Sequence, residues 1–170
     1  MIGYVDSNYT AIAINTVKAE IDKWMSFYPM IDGIFIDQVT NDDVSAHSDY
    51  YVELSEYIHS KGLSISVVNI GTDYVERYES APVADIIVSF ENSTLPVEAT
   101  LLGGNWAGSH REYDYSRKAV LVYNQGSLDL DLIAMLKKYC GFVYVTDDDL
   151  PNPWDTLSTY LADLYAAMRL

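Results

Sequence analysis

The sequence contains few cysteine, histidine and basic residues. Its one cysteine, Cys140, excludes an internal disulfide and any cysteine-rich zinc site, and its place in an apolar run before Gly141 predicts a buried thiol. Ten Lys and Arg residues stand against 25 Asp and Glu residues, which gives a formal net charge of -15. Such a surface repels phosphates and anionic lipid at neutral pH, so we expect neither nucleic acid nor a membrane surface as a partner.

Long hydrophobic runs are absent as well. No apolar stretch approaches the ~20 residues that cross a bilayer, so membrane insertion is not expected. The N-terminus has neither the basic flank nor the small-residue cleavage site of a signal peptide, which predicts a cytoplasmic chain, a processed chain or a fragment. At 170 residues the chain fits one domain over residues 1–170.

Motifs for metals, nucleotides and a serine nucleophile are also missing. His47, His59 and His110 do not have the spacing of metal ligands. The pair Gly103-Gly104 lacks both the lysine and the preceding strand of a phosphate-binding loop, and no Gly-x-Ser-x-Gly elbow occurs. We therefore expect no metal and no cofactor.

What the sequence does contain is a regular alternation of apolar runs and segments of helical period. The runs are almost continuously apolar, as expected for parallel strands covered on both faces, and they predict strands at residues 2–5, 34–36, 63–68, 86–90, 119–123 and 142–145. The helical stripes are Val17, Ile21, Trp24 and Met25; Tyr51, Leu54 and Ile58, ended by Gly62; Leu132, Leu136 and Tyr139, ended by Gly141; and Leu157, Leu161, Leu164 and Met168 in a helix opened by Pro153. This alternation predicts an α/β fold with a parallel sheet.

One connection, residues 92–118, breaks the alternation. It contains Pro96, Gly103, Gly104 and Gly108, and its helical period is confined to residues 97–102. We interpret most of it as a long loop, and loops of this length in compact domains are usually functional or disordered. Trp106 argues against disorder.

Polar side chains follow the end of every predicted strand. In chain order they are Asp6, Asp37-Gln38, Asn69, Glu91-Asn92, Asn124-Gln125 and Asp147 to Asp149. Since the carboxyl ends of parallel strands share one edge, we expect these side chains to converge on one site. Asp and Asn are also common helix caps and turn residues, so any single position has capping as an alternative role. Asp37 and Glu91 come directly after the last strand residue, which favours side chains that point into the site.

Two carboxylates across such an edge suit the hydrolysis of a glycosidic bond. One protonates the leaving oxygen, and the other acts as nucleophile or activates water. The aromatic share of 13%, with 15 tyrosines, fits stacking on sugar faces and equally fits core packing. A hard cation bound by Asp147 to Asp149 is the competing interpretation, and the alternating directions of consecutive strand residues disfavour it.

The same residues lie in motifs that recur in a known family. In chain order these motifs are Ile2-Gly3-Tyr4-Val5 with Tyr9, Asp22-Lys23-Trp24 with Tyr28-Pro29, Asp32-Gly33-Ile34-Phe35-Ile36-Asp37, Tyr50-Tyr51, Asn69-Ile70-Gly71-Thr72, Asp85-Ile86-Ile87-Val88-Ser89-Phe90-Glu91, and Tyr144-Val145-Thr146-Asp147-Asp148 with Pro151-Asn152-Pro153-Trp154. With them the sequence resembles the spherulin-4-like family, also called spherulation-specific family 4. The resemblance implies a (β/α)₈ barrel of TIM type and kinship with glycoside hydrolases that cut galactosamine-containing microbial polysaccharide, either secreted or at the cell surface. The family's catalytic Asp-Glu pair and later Glu fall on Asp37, Gln38 and Glu91.

The sequence departs from the family pattern in two respects. Gln38 stands where the family has Glu, and an amide can neither transfer a proton nor attack an anomeric carbon. The chain is therefore a binding-only member, a disabled enzyme, or a member whose chemistry rests on Asp37 and Glu91. The family barrel also has two further β-α units before the first strand. About six strands cannot close a standard barrel, so we expect an open or distorted sheet, a homo-oligomer or partner chain that covers the free edge, or a missing start.

On this interpretation, the ligand is a galactosamine-containing polysaccharide. We expect Gln38, Asn69, Asn124 and Asp147 to bind or orient the sugar, and Tyr9, Trp106 and Trp154 to offer stacking surfaces. Trp154 has an alternative role as a hydrophobic staple for the last helix. A non-catalytic carbohydrate-binding or interaction module is the alternative function, and an acidic metal-dependent hydrolase is a third one.

Overall fold

A computed structural model describes residues 1–102 and 113–169 of the chain. Six parallel strands form one sheet in the order β1-β2-β3-β4-β5-β6, so each strand pairs with its neighbours in sequence. The strands are β1 Ile2–Asp6, β2 Gly33–Asp37, β3 Ile65–Asn69, β4 Ile86–Asn92, β5 Lys118–Val122 and β6 Phe142–Val145. The helices are α1 Ile14–Phe27, α2 Ser45–Ser60, α3 Arg77–Ser80, α4 Glu98–Leu102, α5 Leu130–Leu136 and α6 Leu161–Arg169, and a 3₁₀ turn covers Tyr115–Arg117. The predicted α/β fold with about six parallel strands is confirmed.

Side chains alternate between two faces of this sheet, as the pleat requires. The outer face packs against α1, α2, α5 and α6, and it buries residues such as Ile34, Ile36, Val120 and Val122. On the inner face, Tyr4, Phe35, Val67 and Ile86 lie side by side in register across four strands. The polar strand ends continue this inner face, and they occupy the edge where the strands stop.

Two of the predicted helices form where their apolar stripes indicated. Val17 and Ile21 of α1 are fully buried, as are Tyr51, Leu54 and Ile58 of α2. Gly62 follows α2 with a φ of +82°, a conformation that glycine adopts at little cost and that stops a helix.

The helix α5 follows the same rule. Asp129 accepts hydrogen bonds from the N–H groups of Asp131 and Leu132, which caps the helix N-terminus. Cys140, after the helix, is 2% exposed, and burial raises its pKa to about 12. The predicted buried thiol is therefore confirmed.

The last helix begins later than the sequence indicated. It starts at Leu161 and not after Pro153, and Leu157 is 75% exposed. The segment before it is held by side chains of β6 and its following loop, since Ser158 N–H donates to the Tyr144 hydroxyl and Thr159 N–H donates to Asp147. These contacts fix a turn in place of the predicted first helical turns, while Leu164 is buried as expected.

The connection predicted at residues 92–118 has its helical period where expected, since α4 forms at Glu98–Leu102. Two features were not predicted: β4 extends to Asn92, and a 3₁₀ turn precedes β5. Trp106 lies outside the described residues. Among the described residues, no helix is both long enough and apolar enough to cross a bilayer.

The two edge strands leave apolar side chains uncovered on the inner face. Ile2 and Tyr4 of β1 are 41% and 50% exposed, and Phe142 of β6 is 48% exposed. Within the described residues, β1 pairs only with β2 and β6 only with β5. The sheet is therefore open between β1 and β6.

Candidate active site

The site centres on one amide that bridges two carboxylates. The Asn69 Nδ2 group donates to Asp37 Oδ1 at 2.8 Å and to Glu91 Oε2 at 2.5 Å. Because both oxygens contact the same nitrogen, they lie at most about 5.3 Å apart. The three residues end β2, β3 and β4, so the order of the strands places the amide between the acids.

Two aromatic donors hold the remaining carboxylate oxygens. The Tyr4 hydroxyl donates to Asp37 Oδ2 at 2.8 Å, and Trp154 Nε1 donates to Glu91 Oε1 at 3.2 Å. Burial and the hydrogen bond to Asp37 raise the pKa of Tyr4 above its usual range, so Tyr4 stays a donor at neutral pH. Each carboxylate thus accepts one hydrogen bond from Asn69 and one from an aromatic side chain.

A β-bulge decides which way Glu91 points. The pairing of β4 with β5 shifts between Val88 and Phe90, so Ser89 is an extra residue in the ladder. Val88 packs on the inner face, whereas Phe90 packs with the outer core around Val120. Without the bulge, strict alternation would turn Phe90 inward and Glu91 outward. The bulge therefore brings Glu91 to the face that Asp37 and Asn69 share.

Short backbone contacts fix the loops that carry the acids. The buried Ser7 hydroxyl donates to the carbonyls of both Asp37 and Gln38, and Tyr9 N–H also donates to the Gln38 carbonyl. Gln38 has a φ of +54°, a conformation uncommon outside glycine, and these three contacts hold it there. Gly71, with φ of +69°, lies so close to the site that an added Cβ would sit 3.4 Å from Asn69 Oδ1 and from Glu91 Cβ.

Two adjoining spaces meet at Asp37 and Asn69. A polar cavity of about 310 Å³ is lined by both acids with Gln38, Asn69, Gly71, Thr72 and the aromatic rings of Tyr9 and Tyr123. A larger groove of about 770 Å³ runs along the inner face and is lined mainly by apolar and aromatic side chains, among them Phe35, Leu121, Tyr144 and Trp154. Asp37 and Asn69 line both spaces. A ligand in the polar cavity can therefore extend one apolar face into the groove.

The structure brings most of the predicted site residues together. Asp37, Gln38, Glu91, Asn69 and Tyr9 line the polar cavity. Trp154 joins them through Glu91, and its ring contacts those of Tyr123 and Tyr144 at 5.9 and 6.1 Å between centroids. Its tryptophan ring is therefore part of the site wall.

Two predicted residues lie elsewhere, and a third is not described. Asn124 is exposed and lines neither space. Asp147 also lines neither, and its carboxylate accepts hydrogen bonds from the Thr159 N–H and hydroxyl, which lower the pKa of Asp147. It acts there as a turn cap, which is the alternative that the sequence left open. Trp106 lies outside the described residues.

Sequence reasoning missed Tyr4 and Tyr123 as site residues. Tyr4 could have been identified from its position, because it precedes Asp6 by two residues in the same strand and so lies on the same face of the sheet. Tyr123 directly follows β5, and the apolar pattern included it in the predicted strand because aromatic residues are common in strands. Its position at the strand end, beside the site, was therefore missed. In residues 1–102 and 113–169, no three His, Cys, Asp or Glu side chains are grouped in a way that could hold a metal ion.

Fold and site together define the class of this protein. It is an α/β protein of parallel strands with a carboxylate-bearing cavity at the C-terminal ends of those strands, the edge where such sheets place their ligand sites. Within that class the chain belongs to spherulation-specific family 4, whose model matches residues 1–168.

Two relatives extend this assignment. Spherulin-4 of Physarum polycephalum is 29% identical over 179 residues, an alignment that covers 99% of this chain and 52% of that protein. The chain thus spans about half the length of this curated relative. A crystal structure of Sph3 from Aspergillus clavatus in complex with GalNAc superposes with a TM-score of 0.77 at 18% identity, and covers 99% of this chain and 72% of that chain. At this identity the similarity shows a shared fold.

Proposed function

We propose that this protein binds galactosamine-containing polysaccharide at the polar cavity and that Asp37 and Glu91 act on the glycosidic bond. The observation that carries the proposal is the Asn69 bridge, which holds the two carboxylates face to face within a cavity lined by aromatic rings. The GalNAc bound in the crystal structure of Sph3 supports an aminosugar as the ligand class.

The spacing of the acids suits a two-step reaction. In glycosidases that retain configuration, the carboxyl groups lie about 5–5.5 Å apart, whereas inverting enzymes need about 6.5–9.5 Å to admit a water. The bridged oxygens lie at most about 5.3 Å apart, which is below the inverting range and compatible with the retaining one. One acid would protonate the leaving oxygen while the other attacks the anomeric carbon, and water would then release the sugar from the enzyme.

Charge favours a cationic or neutral sugar over an acidic one. Both candidate acids carry negative charge when ionised, and the whole chain has a formal net charge of -15. Deacetylated galactosamine carries an ammonium group that this field attracts, and uronic acids are repelled. A polysaccharide ligand also fits the secreted or cell-surface location that the family resemblance implies.

The second candidate is a carbohydrate-binding module without chemistry. Gln38 favours it, because its side chain lines the cavity where the family pattern has a carboxylate and an amide cannot transfer a proton. In that case the cavity would bind the sugar, and Asp37 and Glu91 would only accept hydrogen bonds from its hydroxyl or ammonium groups.

The test compares sugar binding and reducing-end release from acetylated and deacetylated galactosamine polysaccharide. It uses the unaltered chain, Gln38→Glu, Glu91→Gln and, as matched control, Asp163→Asn, which neutralises an exposed carboxylate of α6 outside both spaces. We expect binding by the unaltered chain that Glu91→Gln weakens at least tenfold and that Asp163→Asn leaves unchanged.

Turnover separates the two candidates. Reducing ends released by the unaltered chain or by Gln38→Glu support a glycosidase site if adding Glu91→Gln abolishes the release. Binding without release from any variant supports the module. Equal binding by Glu91→Gln and the control would place the sugar elsewhere and contradict the proposal.

A further inference from the structure

The Asn69 side chain has no accessible hydrogen-bonding group left for a ligand. Its amide nitrogen carries two hydrogens, one for Asp37 and one for Glu91. Its oxygen, Oδ1, is buried and has no hydrogen-bond partner among the described residues. A direct contact with sugar, which strand-end position alone suggested, would require breaking one of these arrangements.

We propose that Asn69 is a positioning residue that ties Asp37 to Glu91 and sets the separation between the two acids. The consequence for sugar binding and hydrolysis rests on the proposed function, whereas the hydrogen bonds from Asn69 to the two acids are a property of the folded chain. The strand order makes it possible, because β3 lies between β2 and β4 and an inward side chain at its end reaches both neighbours.

The carboxylates also explain how the amide is oriented. Rotating it by half a turn would set Oδ1 against Asp37 Oδ1 and Glu91 Oε2, three acceptors without a hydrogen between them. The observed orientation avoids this repulsion at the expense of one unsatisfied buried acceptor. The two hydrogen bonds from Nδ2 to the acids are each stronger than a bond between neutral groups when the carboxylates are ionised, so they outweigh that cost.

The neighbourhood contains few other charges. The groups that face the acids from the surrounding elements are the Tyr4 and Tyr9 hydroxyls, the Trp154 indole, the Tyr123 ring and, further along β1, the Asp6 carboxylate. Only Asp6 among them adds a charge near neutral pH. A carboxylate introduced at position 69 would therefore meet two like charges at contact distance and, among residues 1–102 and 113–169, no cation.

The first test is a spectrum of the unaltered protein. In ¹⁵N-labelled protein, we expect both Asn69 side-chain amide protons to be shifted downfield and protected from exchange. Asn124, exposed at the same edge, serves as the reference amide. Ordinary shifts and fast exchange for Asn69, equal to those of Asn124, would overturn the inference.

The second test exchanges the two groups. Asn69→Asp should lower the thermal midpoint at pH 7 well beyond Asn124→Asp, and the excess should be smaller at acidic pH, where protonation removes the repulsion between neighbouring carboxylates. Adding Asp37→Asn restores an amide beside a carboxylate, so the double variant should be more stable than Asn69→Asp alone. If Asp37→Asn gives no recovery, Asn69 serves packing only.

Sugar binding distinguishes this inference from the proposed function. If the unaltered chain binds sugar, we expect Asn69→Asp to reduce the affinity for sugar at least tenfold. The double variant, Asn69→Asp with Asp37→Asn, should recover only part of that affinity. If the unaltered chain binds no sugar while the amide shifts and the rescue are observed, the tie stands and the proposed function fails.

Discussion

Replacing Glu79 with glutamine leaves the Lys118 ammonium buried without its carboxylate, and we expect a loss of about 3–5 kcal/mol of folding free energy. Lys118 begins β5 on the outer face of the sheet, and it is 1% exposed. Its ammonium contacts the Glu79 carboxylate and donates to the Tyr74 hydroxyl, which itself donates to Glu79. This triad joins α3 and the loop before it to the sheet.

The magnitude follows from burial of both partners. The side chains of Lys118 and Glu79 are 2% and 3% exposed, so water cannot replace the lost partner. An exposed pair offers the matched control: Lys18 and Glu53 contact each other with side chains that are 19% and 55% exposed. For Glu53→Gln we expect less than about 1 kcal/mol.

The loss should also depend on pH. Burial lowers the pKa of Lys118 to about 7. Glu79→Gln removes the carboxylate that contacts the ammonium and keeps the burial, so the folded-state pKa stays below the unfolded value of about 10.4. The penalty is complete when lysine is protonated in both states and shrinks as pH rises from 7 towards 10.4.

Urea unfolding followed by circular dichroism at pH 7 and pH 9.5 measures both effects. The difference between Glu79→Gln and the unaltered protein should be larger at pH 7. Lys118→Met with Glu79→Leu, which removes both charges, should recover most of the loss. A loss no greater than that of Glu53→Gln, or one that grows at pH 9.5, would refute the reasoning.

Three further changes test the fold. Trp24→Phe removes the indole donor to the Tyr4 carbonyl, a backbone group of β1 that points away from β2 on the free edge. An unpaired edge carbonyl can pair with another chain, so we expect self-association detectable by light scattering at high concentration. Gly33→Ala places a Cβ 2.0 Å from the backbone oxygen of Ile65, which must force β2 and β3 apart, so soluble yield should collapse. Leu54→Ala, at a fully buried position, should cost about 2–5 kcal/mol in urea unfolding, and a smaller loss would contradict the assigned core.

The strands and central helices could be predicted from the sequence because their signal is local. Apolar runs of three to six residues indicate buried strands and stripes of helical period indicate helices, whatever the rest of the domain contains. The last helix was misplaced because residues 151–160 are held by contacts to Tyr144 and Asp147, and these partners are distant from the helix in sequence.

The site was only partly predictable for a related reason. Every strand end carried a polar residue, and the same residue types serve as caps and as ligand-binding groups. Asp147 became a cap through Thr159, while Asp37 received donors from Tyr4 and Asn69. No spacing in the sequence separates these outcomes, since each depends on the position of a neighbouring element.

By itself, the sequence determined a parallel α/β fold, the exclusion of disulfides within the chain, and Asp37 and Glu91 as the leading candidates among six strand ends. Tertiary structure decided that the bulge at Ser89 turns Glu91 inward, that Asn69 joins the two acids, and that Tyr4 and Trp154 complete the group. The physical reason is that backbone propensity and hydrophobic period act over a few residues. Hydrogen bonds between strands depend on register and direction, which only the assembled sheet fixes.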